Sequence, residues 1–323
     1  MSSLPSHALV GDIGGTNARF AIAELATLAL AHPASLPVKE HASLPAATAA
    51  YLRTAGRRPT VAAIAVAGPV ARERIQLTNA PWAFTRAEMC AALGLDLFLP
   101  VNDFEAQAFA LPHLAGADLH QIGGGAPLER ATKAVLGPGT GLGVGGLVWS
   151  PSGWIAIASE GGHVSLAVES AEEFALFERL RAGRSHVSAE RALSGPGLVG
   201  LYGAVAALRR APAAELDPPA IVERARKGTD PVAEETLDRF VVWLGRFAGD
   251  AALFFGAKGG VYLGGGIAPR ILDRLTTGAF RQAFEAKGRL SEFLAPIPVY
   301  VVLAGDAGLR GAAAALKAHL AAG

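Results

Sequence analysis

Two stretches decide the fold: His7-Ala-Leu-Val-Gly-Asp-Ile-Gly-Gly-Thr-Asn-Ala-Arg-Phe-Ala-Ile-Ala23 and Ala131-Thr-Lys-Ala-Val-Leu-Gly-Pro-Gly-Thr-Gly-Leu-Gly-Val-Gly-Gly-Leu-Val-Trp149. Each reads as a short apolar strand, a glycine-rich turn and a second strand. Glycines lack the Cβ that would block close approach, so such a turn can aim several backbone N–H groups at an anion. In the first turn, Gly11, Ile13, Gly14 and Gly15 supply the backbone and Thr16 adds a hydroxyl. Asp12 repels phosphate, so an acid at that point suggests a divalent metal, bound directly or through its waters. One such loop reads equally well as a tight hairpin. Two in matching settings, and a third glycine run after a strand at Gly264, Gly265 and Gly266, point to a nucleotide held between two similar α/β halves.

Familiar nucleotide motifs fail. There is no Gly-x-x-x-x-Gly-Lys-Ser/Thr, which excludes a P-loop. Gly141-Leu-Gly-Val-Gly-Gly146 matches Gly-x-Gly-x-x-Gly, but a strand rather than a helix follows it, so the dinucleotide context is missing.

Working outward, the pattern predicts strands over 61–67, 98–101, 131–136, 144–149, 260–263 and 299–303. It predicts helices over 45–55, 85–93, 104–113, 171–181, 196–207, 219–227, 231–255 and 308–321. Thr85 followed by Glu88 is a capping box at the start of one of them. The Gly/Pro-rich segment 116–130 reads as a crossover between domains. Alternating β and α elements argue an α/β fold.

Composition narrows the function classes. The chain has 323 residues, which suggests two domains. Its 51% hydrophobic content and mean hydropathy of +0.34 resemble a membrane protein only until the 67 alanines are noticed. No stretch approaches the ~18 uninterrupted apolar residues of a membrane helix. Net charge is +1, and basic residues such as Arg209, Arg210 and Lys227 are scattered, so no nucleic-acid partner is expected. The lone Cys90 excludes a disulfide framework and a cysteine metal cluster. Met1 to His7 shows no secretory signal, and a cytoplasmic location is expected.

Three polar groups carry candidate chemistry. Asn102-Asp103 lies where a buried strand turns into a helix, where ligands gather in open α/β sheets. Asp103 there is either a helix N-cap or a general base for a hydroxyl proton, with Asn102 orienting the acceptor. Glu160-Gly-Gly-His163 has the Glu-x-x-His spacing of a metal pair, but two glycines argue against a helix and no second copy completes a dinuclear site. On a flexible loop Glu160 and His163 can instead hydrogen-bond a polyhydroxy ligand. Glu190 is by default a carboxylate at a helix N-terminus, or a third member of that polar cluster.

Eight words spread in order along the chain carry a resemblance: Leu9-Val-Gly-Asp-Ile-Gly-Gly-Thr-Asn-Ala-Arg19, Thr78-Asn-Ala-Pro-Trp-Ala-Phe84, Asn102-Asp-Phe104, Gly139-Thr-Gly-Leu-Gly-Val144, Glu160-Gly-Gly-His-Val164, His186-Val-Ser-Ala-Glu-Arg191, Leu193-Ser-Gly-Pro-Gly-Leu198 and Gly264-Gly-Gly-Ile267. With them the chain resembles bacterial glucokinases of the hexokinase type, within the sugar kinase and actin-like ATPase superfamily. The resemblance implies two actin-like (ribonuclease H-like) α/β domains around a central cleft, 1–113 with 304–323 forming the smaller and 114–303 the larger. It assigns ATP phosphates to Gly11, Asp12, Ile13, Gly14, Gly15 and Thr16, with Mg2+ near Asp12 through water. It assigns a second phosphate loop to Gly139, Thr140, Gly141 and Gly143, and adenosine to Gly264, Gly265 and Gly266. Glucose hydroxyls fall to Asn102, Asp103, Glu160, His163 and Glu190, with Asp103 as the base.

The implied activity is transfer of phosphate from ATP to the 6-hydroxyl of glucose, in a homodimer. Alternatives are a kinase for another hexose, a non-catalytic sugar sensor of the same fold and an actin-like assembly ATPase. Two departures separate the chain from the related repressor–kinase group: Cys90 alone makes no zinc cluster, and the DNA-binding helical module that group often carries ahead of the first strand is not expected here. Pro138 removes one N–H from the second loop.

Overall fold

A computed structural model describes residues 5–78 and 80–322; Asn79, within one of the quoted words, lies outside them. The chain divides into two compact units. The first takes in residues up to Ala115, Trp149–Ala158 and the chain from Ala304 onward; the second takes in Gly116–Val148 and Ser159–Leu303.

In the first unit the strands are β1 (His7–Ile13), β2 (Asn17–Glu24), β3 (Leu30–Pro37), β4 (Val61–Val66), the short hairpin β5 (Arg74–Gln76) and β6 (Ala83–Thr85), and β7 (Leu97–Asn102). Its helices are α1 (Leu44–Ala55), α2 (Arg86–Leu93) and α3 (Asp103–Ala110). The main sheet has the order β3-β2-β1-β4-β7, with β1 antiparallel to β2 and parallel to β4. Alternate residues of each strand face opposite sides. Leu9, Ile13, Phe20 and Ile64 pack with Leu44 and Tyr51 of α1 and Met89 of α2. Ala8, Val10, Ala21, Ala63 and Ala65 face α3 and the C-terminal helix. Both faces of β4 are covered, which is why it reads as an unbroken apolar run. Ser43 caps α1, and the expected capping box of Thr85 and Glu88 opens α2.

The second unit contains β8 (Leu119–Gly123), β9 (Lys133–Pro138), β10 (Leu142–Ser150), β11 (Gly153–Ser159), β12 (Val261–Leu263) and β13 (Val299–Val302), in the sheet order β11-β10-β9-β12-β13-β8. Apart from β8 at the edge, this repeats the strand sequence of the first sheet: a hairpin pair, then β12 parallel to β9 and β13 parallel to β12. The expected recurrence is therefore architectural. The tip of β10 and most of β11 group with the first unit. Helices α4 (Ala171–Arg181), α5 (Gly195–Arg209), α6 (Pro218–Lys227), α7 (Pro231–Phe255), α8 (Leu272–Leu275), α9 (Ala279–Glu285) and α10 (Ser291–Leu294) complete the second unit, and α11 (Ala307–Ala322) returns to the first. Among the described residues no helix is long and apolar enough to cross a membrane.

Some elements differ from the sequence reading. Segment 116–130 contains β8, an edge strand whose one well-buried apolar residue is Ile122, so it shows little alternation. Likewise β3 is an exposed edge carrying Pro33 and Pro37, residues that demote a strand in any sequence reading. The 160–163 segment forms a 3-10 turn over Gly161–His163 rather than an open loop.

The long α7 is held to α4 by a buried ion pair. Arg246 donates two hydrogen bonds to Glu173, at 3.0 and 3.1 Å, and a third to the carbonyl of Ala167. Burial alone would raise the Glu173 pKa, but the guanidinium and the Glu169 N–H keep the carboxyl below its ordinary value.

Close helix packing in the first unit depends on absent side chains. A Cβ on Gly311 of α11 would lie 1.8 Å from the carbonyl oxygen of Ala106 on α3. Alanine in a helix interior ordinarily gains up to ~1 kcal/mol over glycine. Overpacking of a tight interface costs about 1–3 kcal/mol, so Gly311→Ala should lower the thermal unfolding midpoint. Gly203, on the exposed side of α5 with nothing within 4 Å, is the control: Gly203→Ala should raise the midpoint or leave it unchanged. Equal midpoint increases in both variants would contradict the packing.

Candidate functional site

In the first unit the parallel strands align their carboxyl ends. Ile13 of β1 is in register with Val66 of β4, and Val66 with Asn102 of β7. The exposed turn Gly14, Gly15 and Thr16 and the Asn102-Asp103 step are thus brought to one edge of one sheet, where strands end and ligands collect. The turn is closed by Gly14 N–H donating to Asn17 O at 2.9 Å, and Thr16 O accepts from Val38 N–H.

The two residues at the start of α3 divide their work. Asn102, not Asp103, is the N-cap: its Oδ1 accepts from Phe104 N–H and Glu105 N–H at 3.0 and 3.2 Å. Its Nδ2 donates to Gly68 O, just beyond β4. Asp103 is the first helical residue, with Oδ1 accepting from Phe104 N–H at 3.0 Å. Asn102 therefore fixes the helix start from which the Asp103 carboxylate projects.

Asp12 stands one residue before the end of β1, against α11. A Cβ on Gly308 would sit 2.7 Å from Asp12 Oδ2, so only glycine allows the helix this close. Burial pushes the Asp12 pKa above the ordinary carboxylate value, and Arg19, 3.6 Å away, pulls the other way without overcoming it. The ionised carboxylate is thus held at a cost.

In the second unit, β9 and β12 run in parallel with Leu136 beside Leu263. Gly264 N–H donates to Leu136 O, Ile267 N–H to Pro138 O, and Gly265 packs so tightly on Gly137 and Pro138 that a Cβ would be 2.6 Å from the latter's carbonyl. The structure therefore brings the entry of the turn that carries Gly139, Thr140, Gly141 and Gly143 beside Gly264, Gly265 and Gly266, a Cβ on Gly139 lying 3.8 Å from Gly266 N. Pro138 ends β9; it donates nothing to the ladder, and its carbonyl serves Ile267.

The polar cluster lies on the other side of the same turn. The segments after His163 and before Glu190 pair through Leu166 N–H to Val187 O and Ala189 N–H to Val164 O. This places the 3-10 turn Gly161–His163 beside the 3-10 turn Ala189–Arg191. Gly162 lies on the glycine turn's exit: its Cβ would be 1.9 Å from Leu142 O. Glu190 Oε2 accepts the Leu142 N–H at 2.9 Å. Glu160 and His163 remain exposed, their polar tips 3.9 Å apart, so the pair contributes little energy and leaves both available to a ligand. A cavity of about 380 Å³ is lined by Thr140 and Glu190, with Arg179, Arg184, Arg191 and Ser194.

The sequence reading missed two residues here. His186 donates through Nε2 to the His163 carbonyl at 2.8 Å, and Ser194 bonds the Glu190 carbonyl while capping α5. Ser194 had a signal, since Ser-Gly-Pro is an N-cap followed by a helix-starting proline.

Comparison with known proteins identifies the family. The glucokinase family model matches residues 9–319. The chain belongs to the glucokinase family. It is 47% identical to the glucokinase of Neisseria meningitidis serogroup B strain MC58, over 99% of each chain. The solved glucokinase of an Antarctic psychrotroph superposes with a TM-score of 0.88 at 39% identity, covering 96% of this chain and 98% of that one. A ROK family glucokinase from Streptomyces griseus, solved with glucose and AMPPNP, superposes at a TM-score of 0.64 and 21% identity, a likeness of fold over 95% of this chain and 98% of that one. Glucokinases and ROK sugar kinases share the actin-like ATPase fold, and the repeated sheet order described above is that fold in this chain.

The raised Asp12 pKa has a stability consequence with a definite sign. Folding favours the protonated carboxyl, so above the ordinary carboxylate pKa the charge subtracts from stability. Asp12→Asn should melt higher than wild type near pH 7–8, and the difference should shrink toward pH 3, where both states carry a neutral carboxyl. A variant melting lower at neutral pH would show that the charge is stabilised after all.

Proposed function

We propose that this glucokinase family member transfers the γ-phosphoryl group of ATP to the 6-hydroxyl of D-glucose, giving glucose 6-phosphate and ADP, the first step of glycolysis. The observation that carries the reading is that Glu190, and Gly162 between the exposed Glu160 and His163, both contact the exit of the glycine turn at Gly139, Thr140 and Gly141. A sugar-binding polar cluster and a phosphate-sized loop share one backbone residue there, Leu142.

Roles follow from chemistry. Glu160, His163 and Glu190 bind sugar hydroxyls, and Asn102 anchors the step that presents Asp103. The Asp103 carboxylate accepts the proton of the 6-hydroxyl as that oxygen bonds to the γ-phosphorus. The bond from phosphorus to the bridging oxygen breaks, and its electron pair leaves on ADP. A loose transition state asks the protein mainly for positioning and charge stabilisation. Gly14 N–H and Gly139 N–H close their own turns, and other backbone N–H groups of the turns at Gly14, Gly15 and Thr16 and at Gly139, Thr140, Gly141 and Gly143 supply the latter. Gly264, Gly265 and Gly266 receive the adenosine.

Mg2+ fits the residues present. Among the described residues no three His, Cys, Asp or Glu side chains gather into a cage. Mg2+ needs none, since it keeps several waters and takes one or two carboxylates plus substrate phosphates. Asp12 is such a carboxylate, and a cation beside it would relieve the charge that burial disfavours. Neutralisation of triphosphate charge is the chemistry Mg2+ supplies when bound. The same reading extends to a smaller α/β domain of 1–113 with 304–323 and a larger α/β domain of 114–303, to a homodimer, and to a cytoplasmic enzyme with no nucleic-acid or membrane partner.

Asp103→Asn tests the reading. The side chain keeps its size and its acceptor for Phe104 N–H, so the variant should fold and bind glucose. General bases typically contribute 10²–10⁴-fold, and kcat in a coupled ADP-release assay should fall by about that factor with the KM for glucose little changed. Near wild-type turnover would remove Asp103 from the base role, and no ADP release with glucose in the wild type would end the proposal itself.

A further inference from the structure

The carboxylate of Glu190 is tied to the glycine turn at both ends of a closed circuit. Its Oε2 accepts the Leu142 N–H, at the exit of the turn. Its own carbonyl accepts from Ser194 Oγ at 2.8 Å, and Ser194 Oγ in turn accepts from Gly197 N–H at the start of α5. The next residue, Gly195, donates its N–H to Gly139 O at 2.7 Å, at the entry of the turn. Segment 190–195 therefore grips the turn at Gly139 and at Leu142, with Gly139 N–H to Gly141 O closing it internally. Space for the carboxylate exists only because residue 141 is glycine: a Cβ there would lie 2.5 Å from Glu190 Oε2.

We propose that Glu190 is a positioning residue that transmits sugar occupancy to the phosphate-binding turn. The inference rests on the proposed glucose and ATP sites. A sugar hydroxyl bonded to Glu190 restrains its carboxylate, which restrains the Leu142 N–H it holds and so the turn that follows Gly139. Nucleotide then meets a turn already ordered and binds more tightly. By linkage, nucleotide tightens sugar by the same factor. The enzyme thereby favours phosphoryl transfer to sugar over idle binding of ATP.

Three proteins test this by equilibrium binding of AMPPNP with and without saturating glucose. Glu190→Asp keeps the charge but withdraws the carboxylate by one methylene, out of reach of Leu142. Gly141→Ala leaves Glu190 intact and fills the space its Oε2 occupies. In wild type, glucose should tighten AMPPNP by about 5-fold or more, the lower end of ordinary coupling. In both variants that ratio should fall to near unity, while thermal melting shows a folded chain. A wild-type ratio near unity, or the wild-type ratio kept in the variants, overturns the proposal. Should Glu190→Asp no longer bind glucose, or Gly141→Ala no longer bind AMPPNP, the other variant carries the same two outcomes; loss of binding in both variants counts against a purely positioning role and overturns the proposal. Failure of the underlying reading is separate, because wild type would then bind no glucose or release no ADP.

Discussion

Backbone packed directly on backbone, with no side chain between, is the constraint on which both units depend. Gly311 meets the Ala106 carbonyl, Gly162 the Leu142 carbonyl and Gly265 the Pro138 carbonyl, each at a separation a Cβ would violate. A side chain between two segments can repack, whereas two peptide planes in contact cannot without moving the chain. The turns that carry the candidate chemistry are thus held by contacts that leave no room for a side chain to repack. Alanine extends the same logic to the sheet face under α3 and α11, where Ala8, Ala21, Ala63 and Ala65 let the helices lie close. The 39 glycines and 67 alanines are a composition for close approach.

Charge is distributed by a matching rule. Where a carboxylate is buried for structure, it is matched: Glu173 receives two hydrogen bonds from Arg246 and one from the Glu169 amide, and its pKa falls. Removing one partner of such a pair costs about 3–5 kcal/mol because the other charge is stranded. Asp12 is treated otherwise. One guanidinium at 3.6 Å only partly offsets its burial, and its pKa stays raised. An acid held at a cost near the end of a strand, beside a glycine turn, is consistent with the Mg2+ role proposed for it above.

The sequence disclosed those parts of the fold whose signals are local. Strands β1, β2, β9 and β10 announce themselves through apolar runs broken by glycine, and the Thr85–Glu88 capping box lies within one turn. Edge strands escaped because one side faces water: β3 has no fully buried residue, and β8 has one well-buried apolar residue. The Asn102-Asp103 step was visible but its division of labour was not. Both are acceptable caps by residue type, and only the geometry gives the cap to Asn102. The bond from Leu142 to Glu190 joins residues 48 apart in sequence, and its partner is a backbone amide that every residue but proline carries. No pattern of residue types encodes it, so the role of Glu190 as a tether could not be read.

The repeated sheet shows how one architecture yields two different phosphate-sized turns. Ile13 ends β1 and Pro138 ends β9, so Asp12 stands in the first sheet where Gly137 stands in the second. The first position carries an ionisable group against Gly308 of α11. The second carries no side chain, and Gly265 packs directly on it: a Cβ on Gly265 would lie 3.1 Å from Gly137 Cα. Pro138 beside it has no N–H, and its carbonyl accepts the backbone amide of Ile267. The same strand–turn–strand architecture thus leaves one turn with an acid at its base and closes the other against a third glycine segment, so the asymmetry lies in what packs on each strand end rather than in the sheets themselves.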